Sequence, residues 1–162
     1  MIFGFDAAAS LVIDEATAEH YRPMADIHAA AFQRAWTDGE IEQLLVKPGT
    51  LGLVLRKPKS EGGKLVGFIM SRTVIDETEV LTIAVKPNWQ GYGCGRRLMD
   101  ACLERAHRER VKSIFLEVDE SNKAATRLYK KLGFVTIAER PGYYQNADGS
   151  RGKALVMRRD FA

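Results

Sequence analysis

The passage that most constrains this chain is Ala84-Val85-Lys86-Pro87-Asn88-Trp89-Gln90-Gly91-Tyr92-Gly93-Cys94-Gly95-Arg96. An apolar run from Val80 to Val85 reads as a strand, and Pro87 ends it. Three alternating glycines then make a tight turn. A helix follows, with Leu98, Cys102 and Ala106 on one stripe, Met99 and Leu103 beside it, and Arg97, Asp100, Glu104 and Arg108 on the opposite side. A strand that feeds a helix through glycines commits the chain to layered α/β architecture. It also builds a binding feature. Glycines let backbone N–H groups converge without a Cβ in the way. The helix start adds unpaired N–H groups and the positive end of its dipole. Together these suit phosphate oxygens, with Arg96 placed to add charge.

Two common phosphate motifs are excluded by counting. A dinucleotide fingerprint, G-x-G-x-x-G, needs a third glycine where Arg96 stands, and no stretch supplies G-x-x-x-x-G-K-[ST]. Gln90 to Gly95 does fit [QR]-x-x-G-x-[GA]. A motif this short can also be a sharp connection and nothing more. The strand, proline and helix around it favour the phosphate reading.

Before this passage the pattern gives a short strand at Leu11–Ile13 and a helical stretch carrying Met24, Ile27, Ala31 and Phe32. Thr37 reads as the cap of a second helix with Ile41, Leu44 and Leu45, stopped by Pro48-Gly49. Strands at Leu51–Leu55 and Leu65–Arg72 flank an exposed turn at Pro58–Gly63. After the glycine helix come a strand at Ser113–Val118, a helix capped by Ser121, and strands at Phe134–Ala138 and Ala154–Met157. The last two are joined by a loop holding Pro141-Gly142-Tyr143-Tyr144 and Asn146 to Gly152. The order implies a mixed, mostly antiparallel sheet flanked by helices. Nothing along the 162 residues reads as a linker, so one domain spanning 1–162 is expected.

The second chemical signal is Leu116-Glu117-Val118 followed by Ser121-Asn122-Lys123-Ala124-Ala125-Thr126-Arg127-Leu128-Tyr129. Helical spacing puts Asn122, Ala125 and Tyr129 on one face: an amide, a small gap and a phenol. That face suits a long, thin cofactor arm. The plainer reading is core packing for Ala125 and Tyr129 and a turn role for Asn122. Glu117 stands in an apolar strand, where a lone carboxylate usually faces solvent. Its place before the helix, toward the carboxyl ends of the strands, favours a catalytic role.

The net charge of +3 is mild, and basic residues alternate with acids, so a dedicated nucleic-acid surface is not expected. Cys94 and Cys102 are eight residues apart on one helix, a rise of about 12 Å that no disulfide spans. Free thiols suit a reducing, cytoplasmic setting. No stretch reads as a signal peptide or a membrane span. His20, His28 and His107 lack ligand spacing, so no metal is expected, and they read as ordinary surface or capping histidines.

The segment from Glu79 to Met157 resembles the GNAT N-acetyltransferases, specifically the RimI type that acetylates the N-terminal alanine of a ribosomal protein. The resemblance is carried by Leu81-Thr82-Ile83-Ala84-Val85, Gln90 to Arg96, Phe115-Leu116-Glu117-Val118, Ser121-Asn122, Ala124-Ala125, Leu128-Tyr129, Leu132-Gly133-Phe134 and Gly142-Tyr143-Tyr144. Upstream, Ala29-Ala30-Ala31-Phe32 and Trp36 are similar, though Ala35-Trp36-Thr37 replaces the usual Pro-Trp-Ser. The first ten residues have no counterpart. The resemblance implies the GNAT fold and acetyl-CoA as donor. It implies that Ile83, Ala84 and Val85 pair with the pantetheine and that Gly91, Tyr92, Gly93, Cys94, Gly95 and Arg96 hold the pyrophosphate. Asn122, Ala125 and Tyr129 would line the cofactor, Glu117 would be the general base and Tyr129 the general acid. Trp36, Tyr143 and Tyr144 would form the peptide slot. A GNAT enzyme acting on a small amine or a lysine, or a non-catalytic acyl-CoA-binding module, would share the cofactor half. Cys94, at the phosphate end, reads as a filler and not a nucleophile.

Overall fold

A computed structural model describes residues 7–145 and 151–161. A single 3-10 turn at Ala7–Ser10 precedes β1 (Val12–Glu15). Then come α1 (Tyr21–Ala31), α2 (Asp38–Leu45), β2 (Thr50–Arg56), β3 (Leu65–Val74), β4 (Glu77–Val85), α3 (Cys94–Arg108), β5 (Ser113–Asp119), α4 (Lys123–Lys131), β6 (Val135–Gln145) and β7 (Arg151–Asp160). The strands hydrogen-bond in the order β1-β2-β3-β4-β5-β7-β6. β1–β2, β2–β3, β5–β7 and β6–β7 are antiparallel pairs, and β4–β5 is parallel. A parallel pair needs a crossover, and α3 supplies it. The mixed, mostly antiparallel α/β sheet expected from the element order is what forms.

The chain divides into two compact units: Met1–Arg72 with Leu81–Arg105, and Thr73–Val80 with Ala106–Ala162. In the first, Met24, Ala25 and Ile27 of α1 and Ile41 of α2 pack with Val54 of β2, Leu65, Phe68 and Met70 of β3, and Ala84 of β4. β3 is buried continuously from Leu65 to Ser71, the mark of a strand covered on both faces. Burying one such large side chain contributes about 1.5–3 kcal/mol. α2 starts where expected, because the Thr37 hydroxyl accepts the Glu40 N–H at 3.1 Å. β3 and β4 approach closely at Gly67, where an added Cβ would lie 2.9 Å from the Ala84 carbonyl oxygen. The predicted stripe of α3 holds, with Leu98, Met99, Cys102, Leu103 and Ala106 all buried. Cys94 and Cys102 are both buried and form no disulfide, as expected.

In the second unit, β5 alternates, burying Ile114, Leu116 and Val118 and leaving Phe115 and Glu117 half-buried. It pairs with β7 along its whole length, from Ser113↔Asp160 to Asp119↔Ala154. The Tyr129 and Phe134 rings pack 5.9 Å apart.

Four local expectations are corrected. Pro141 to Tyr144 is strand and not loop: β6 runs on to Gln145, with its register shifted between Arg140 and Tyr144. A proline and a glycine break the alternation that marks a strand, and this one absorbs them as an irregularity. Of the rest of that loop, residues 146–150 lie outside the described residues, and Arg151 and Gly152 belong to β7. The cap of α4 is Asn122, whose Oδ1 accepts the Ala125 N–H at 3.1 Å; Ser121 instead donates its hydroxyl to Asp119 at 2.9 Å. Arg97 does not sit on the solvent side of α3. It is half-buried and donates to the carbonyls of Ala8 and Leu11, the latter at 3.3 Å. His28 is not a surface residue but 3% exposed, whereas His20 does cap, its Nδ1 accepting the Thr17 N–H at 3.0 Å.

Candidate active site

In the first unit the glycine turn has the geometry its sequence requires. Gly91 and Gly93 take φ of 83° and 81°, a region that side chains with a Cβ adopt at a cost. A Cβ built at either would meet nothing within 4 Å, so the turn presents open backbone. α3 begins at Cys94, and the Arg97 N–H bonds the Gly93 carbonyl at 3.0 Å, closing its first turn. The N–H groups ahead of that bond are the ones a helix leaves for an anion. Gly91, Tyr92, Gly93, Gly95 and Arg96 are on the surface or near it, while Cys94 is buried. Arg96 is half-exposed and ion-paired with Asp100 one turn along at 3.2 Å, which partly offsets its charge. A second cation stands beside the turn: Lys57 Nζ lies 5.7 Å from the Trp89 ring centre.

Upstream of the turn, β4 holds Ala84 buried, with Ile83 and Val85 half-buried. Its parallel ladder to β5 covers Glu77↔Ser113, Thr78↔Ile114 and Glu79↔Phe115, and ends there among the described residues. The strand itself continues to Val85. Buried backbone groups need partners, and an edge of this kind suits an amide-bearing ligand arm.

Trp36 lies between α1 and α2 and is half-buried. Its ring stacks on His28 at 4.7 Å and 12°, and its backbone N–H donates to His28 Nδ1 at 3.1 Å.

In the second unit, β5 and α4 place Glu117, Asn122, Ala125 and Tyr129 in sequence. Glu117 is ion-paired: Arg140 Nη1 lies 2.8 Å from its Oε1, and the carboxylate side chain is 26% exposed. Asn122 is exposed, Ala125 half-buried and Tyr129 6% exposed, so the face they share runs from solvent into the protein. Burial pushes the Tyr129 phenol up to about 12 from the usual 10.0. It keeps its proton throughout the neutral range. Tyr143 and Tyr144 belong to β6, with Tyr144 in register with Gly152.

Arg140, Lys57 and His28 were not singled out by sequence. Arg140 and Lys57 carry no local pattern. His28 did carry one, sharing helical spacing with Met24 and Ile27.

The model of the acetyltransferase (GNAT) family matches residues 17–134, most of the chain, and the protein belongs to that family. It is an acetyl-CoA-dependent N-acetyltransferase. More particularly, it is similar to the ribosomal protein bS18-alanine N-acetyltransferase of Haemophilus ducreyi, at 30% identity over 146 residues, 90% of this chain and 97% of that one. Among solved structures, the ribosomal-protein-S18-alanine N-acetyltransferase of Escherichia coli superposes with a TM-score of 0.85 at 28% identity, covering 94% of each chain. Ard1 from Thermoplasma volcanium superposes at 0.80 with 29% identity, covering 94% of this chain and 99% of its own. No helix among the described residues is long and apolar enough to cross a membrane.

Proposed function

We propose that this enzyme transfers the acetyl group of acetyl-CoA to the α-amine of a ribosomal protein that begins with alanine, in the cytoplasm, and that residues 1–162 act as one catalytic domain. The observation that carries the reading is the similarity to the bS18-alanine N-acetyltransferase, which extends over 97% of that enzyme and so takes in acceptor-side as well as donor-side segments. Acid–base chemistry agrees. With reference pKa values near ~8 and ~10.4, roughly a fifth of α-amines but only roughly a thousandth of lysines are neutral at pH 7.4. A direct-attack enzyme without a strong base therefore favours an N-terminus.

In this reading the amine nitrogen attacks the thioester carbon, the C–N bond forms and the C–S bond breaks. Glu117 takes the proton the nitrogen sheds, directly or through water. Backbone N–H groups of Ile83–Val85 polarise the carbonyl and pair with the pantetheine. Tyr129 donates a hydrogen bond to the departing thiolate. A phenol raised to about 12 stays protonated until the thiolate, a base of roughly cysteine strength near ~8.5, develops beside it. Complete transfer to it alone would be uphill, so hydrogen-bond donation is the larger part of the role. Gly91 to Arg96 hold the pyrophosphate, Asn122 and Ala125 line the arm, and Trp36, Tyr143 and Tyr144 border the peptide.

The test is transfer from labelled acetyl-CoA to three acceptors: peptides with a free N-terminal alanine, the same peptides N-blocked but containing lysine, and small amines. Labelling confined to free N-termini is expected. Labelling of lysine or small amines in preference would overturn the acceptor.

A further inference from the structure

We propose that His28 is a positioning residue of the acceptor half: its neutral imidazole fixes the segment Phe32–Thr37 and the Trp36 ring in the form that receives the peptide, and protonation of that imidazole releases the segment. The inference rests on reading Trp36 as an acceptor-slot residue. His28 is 3% exposed at the end of α1, and the backbone from residue 33 to 36 lies in no helix or strand. The Trp36 backbone N–H finds a side chain and not a carbonyl as its partner. It donates to His28 Nδ1 at 3.1 Å, which requires that nitrogen to be unprotonated, with the ring hydrogen on Nε2. The imidazole also stacks on Phe32 at 4.4 Å and 27° and on Trp36 at 4.7 Å and 12°. One ring thus holds the segment at both ends, by two stacks and a hydrogen bond.

Protonation turns Nδ1 from acceptor to donor and sets it against the Trp36 N–H. It also places a charge in a buried site among aromatic rings: Phe32, Trp36, and the Phe68 ring of β3 at 6.4 Å. The charged group that opposes this is Glu40 of α2, and burial outweighs it, holding His28 below the usual 6.5. Burial therefore favours the neutral ring, and it is acid that protonates it.

The experiment compares the wild-type enzyme with His28→Asn, whose side-chain oxygen keeps an acceptor and does not titrate, and His28→Leu, which has none. Trp36 fluorescence is read in a Trp89→Phe background, where it is the sole tryptophan. From about pH 8 to about pH 5, below the usual histidine pKa, it is expected to change as one proton binds in the wild type and to stay flat in His28→Asn. The ratio of peptide KM values, wild type over His28→Asn, is expected to rise about three- to tenfold over the same range, the worth of one hydrogen bond. Taking the ratio cancels the titration of the peptide's own amine. KM for acetyl-CoA is expected to stay level, and His28→Leu to raise peptide KM at every pH. Identical fluorescence curves, a flat KM ratio, or a His28→Leu effect equal on both KM values would each overturn the proposal. Absence of transfer to any peptide, with the fluorescence titration intact, would overturn the acceptor reading and leave the His28–Trp36 coupling standing.

Discussion

Arg140 Nη1 lies 2.8 Å from Glu117 Oε1, although their strands, β6 and β5, are separated by β7. The pair reaches across one strand and fixes which way the carboxylate points. Both side chains retain solvent contact, at 56% and 26% exposure, so the stability it contributes is small, about 0–1 kcal/mol. Its effect on chemistry is larger if Glu117 is the base, since a proton acceptor must be held within hydrogen-bond reach. Arg140→Ala is expected to lower kcat about ten- to a hundredfold, with KM for acetyl-CoA unchanged and the melting temperature nearly so. Arg140→Lys should recover part of the loss. Steady-state kinetics with both substrates varied is the measurement, and an unchanged kcat counts against the orienting role.

Gly93→Ala tests the phosphate turn. The residue sits at φ 81° with open space where a Cβ would go, so no clash results. The cost is conformational, about 1–2 kcal/mol of stability, and if the turn holds the pyrophosphate as proposed, the methyl obstructs its open backbone. KM for acetyl-CoA is expected to rise about tenfold or more, equivalent to one or two hydrogen bonds, while peptide KM stays level. Chemical denaturation and titration calorimetry with CoA separate the two effects.

The strand–turn–helix at the centre was legible because glycines, a proline and an apolar stripe all speak locally. The relationships that organise the site are not local. Glu117 and Arg140 meet through sheet register, and nothing in either neighbourhood names the other. Arg97 reads as a solvent residue by helical spacing, yet it reaches the carbonyls of Ala8 and Leu11 far upstream. Ser121 and Asn122 are both good caps, and the choice fell to the chain path: Ser121 is held by Asp119, which leaves Asn122 to reach Ala125. The sequence pattern of β6 fades after Ala138 because exposed Glu139, Arg140 and Pro141 carry no alternation, although the strand runs on to Gln145.

Gly67→Ala probes the support behind the donor strand. The added Cβ would lie 2.9 Å from the Ala84 carbonyl oxygen, 3.2 Å from Leu98 and 3.3 Å from Val85. The first neighbour is backbone and cannot step aside, so β3 and β4 must move apart. Overpacking of this kind costs about 1–3 kcal/mol. It displaces Ala84 and Val85, residues assigned to the pantetheine, so lower stability should come together with a raised KM for acetyl-CoA. Thermal melts with and without CoA would show both. A drop in stability alone would mean that the Ile83–Val85 backbone does not carry the donor.

The burial of His28 also predicts how stability depends on pH. Desolvation lowers its folded-state pKa below 6.5, against the opposing charge of Glu40. Below the unfolded value the unfolded chain therefore binds a proton that the folded one refuses. By linkage, stability is present above that value and is lost as pH falls through it, at a slope of at most about 1.4 kcal/mol per pH unit for one group. Other ionisable groups of the chain also respond to acid, so the raw curve does not isolate the histidine. The difference between wild type and His28→Asn does. Urea unfolding of both proteins at about pH 7 and about pH 5 is expected to show the wild type losing more stability over the interval, because only its imidazole takes up a proton on unfolding. Equal losses would mean that folding does not lower the His28 pKa, and the reading that burial outweighs Glu40 would fall.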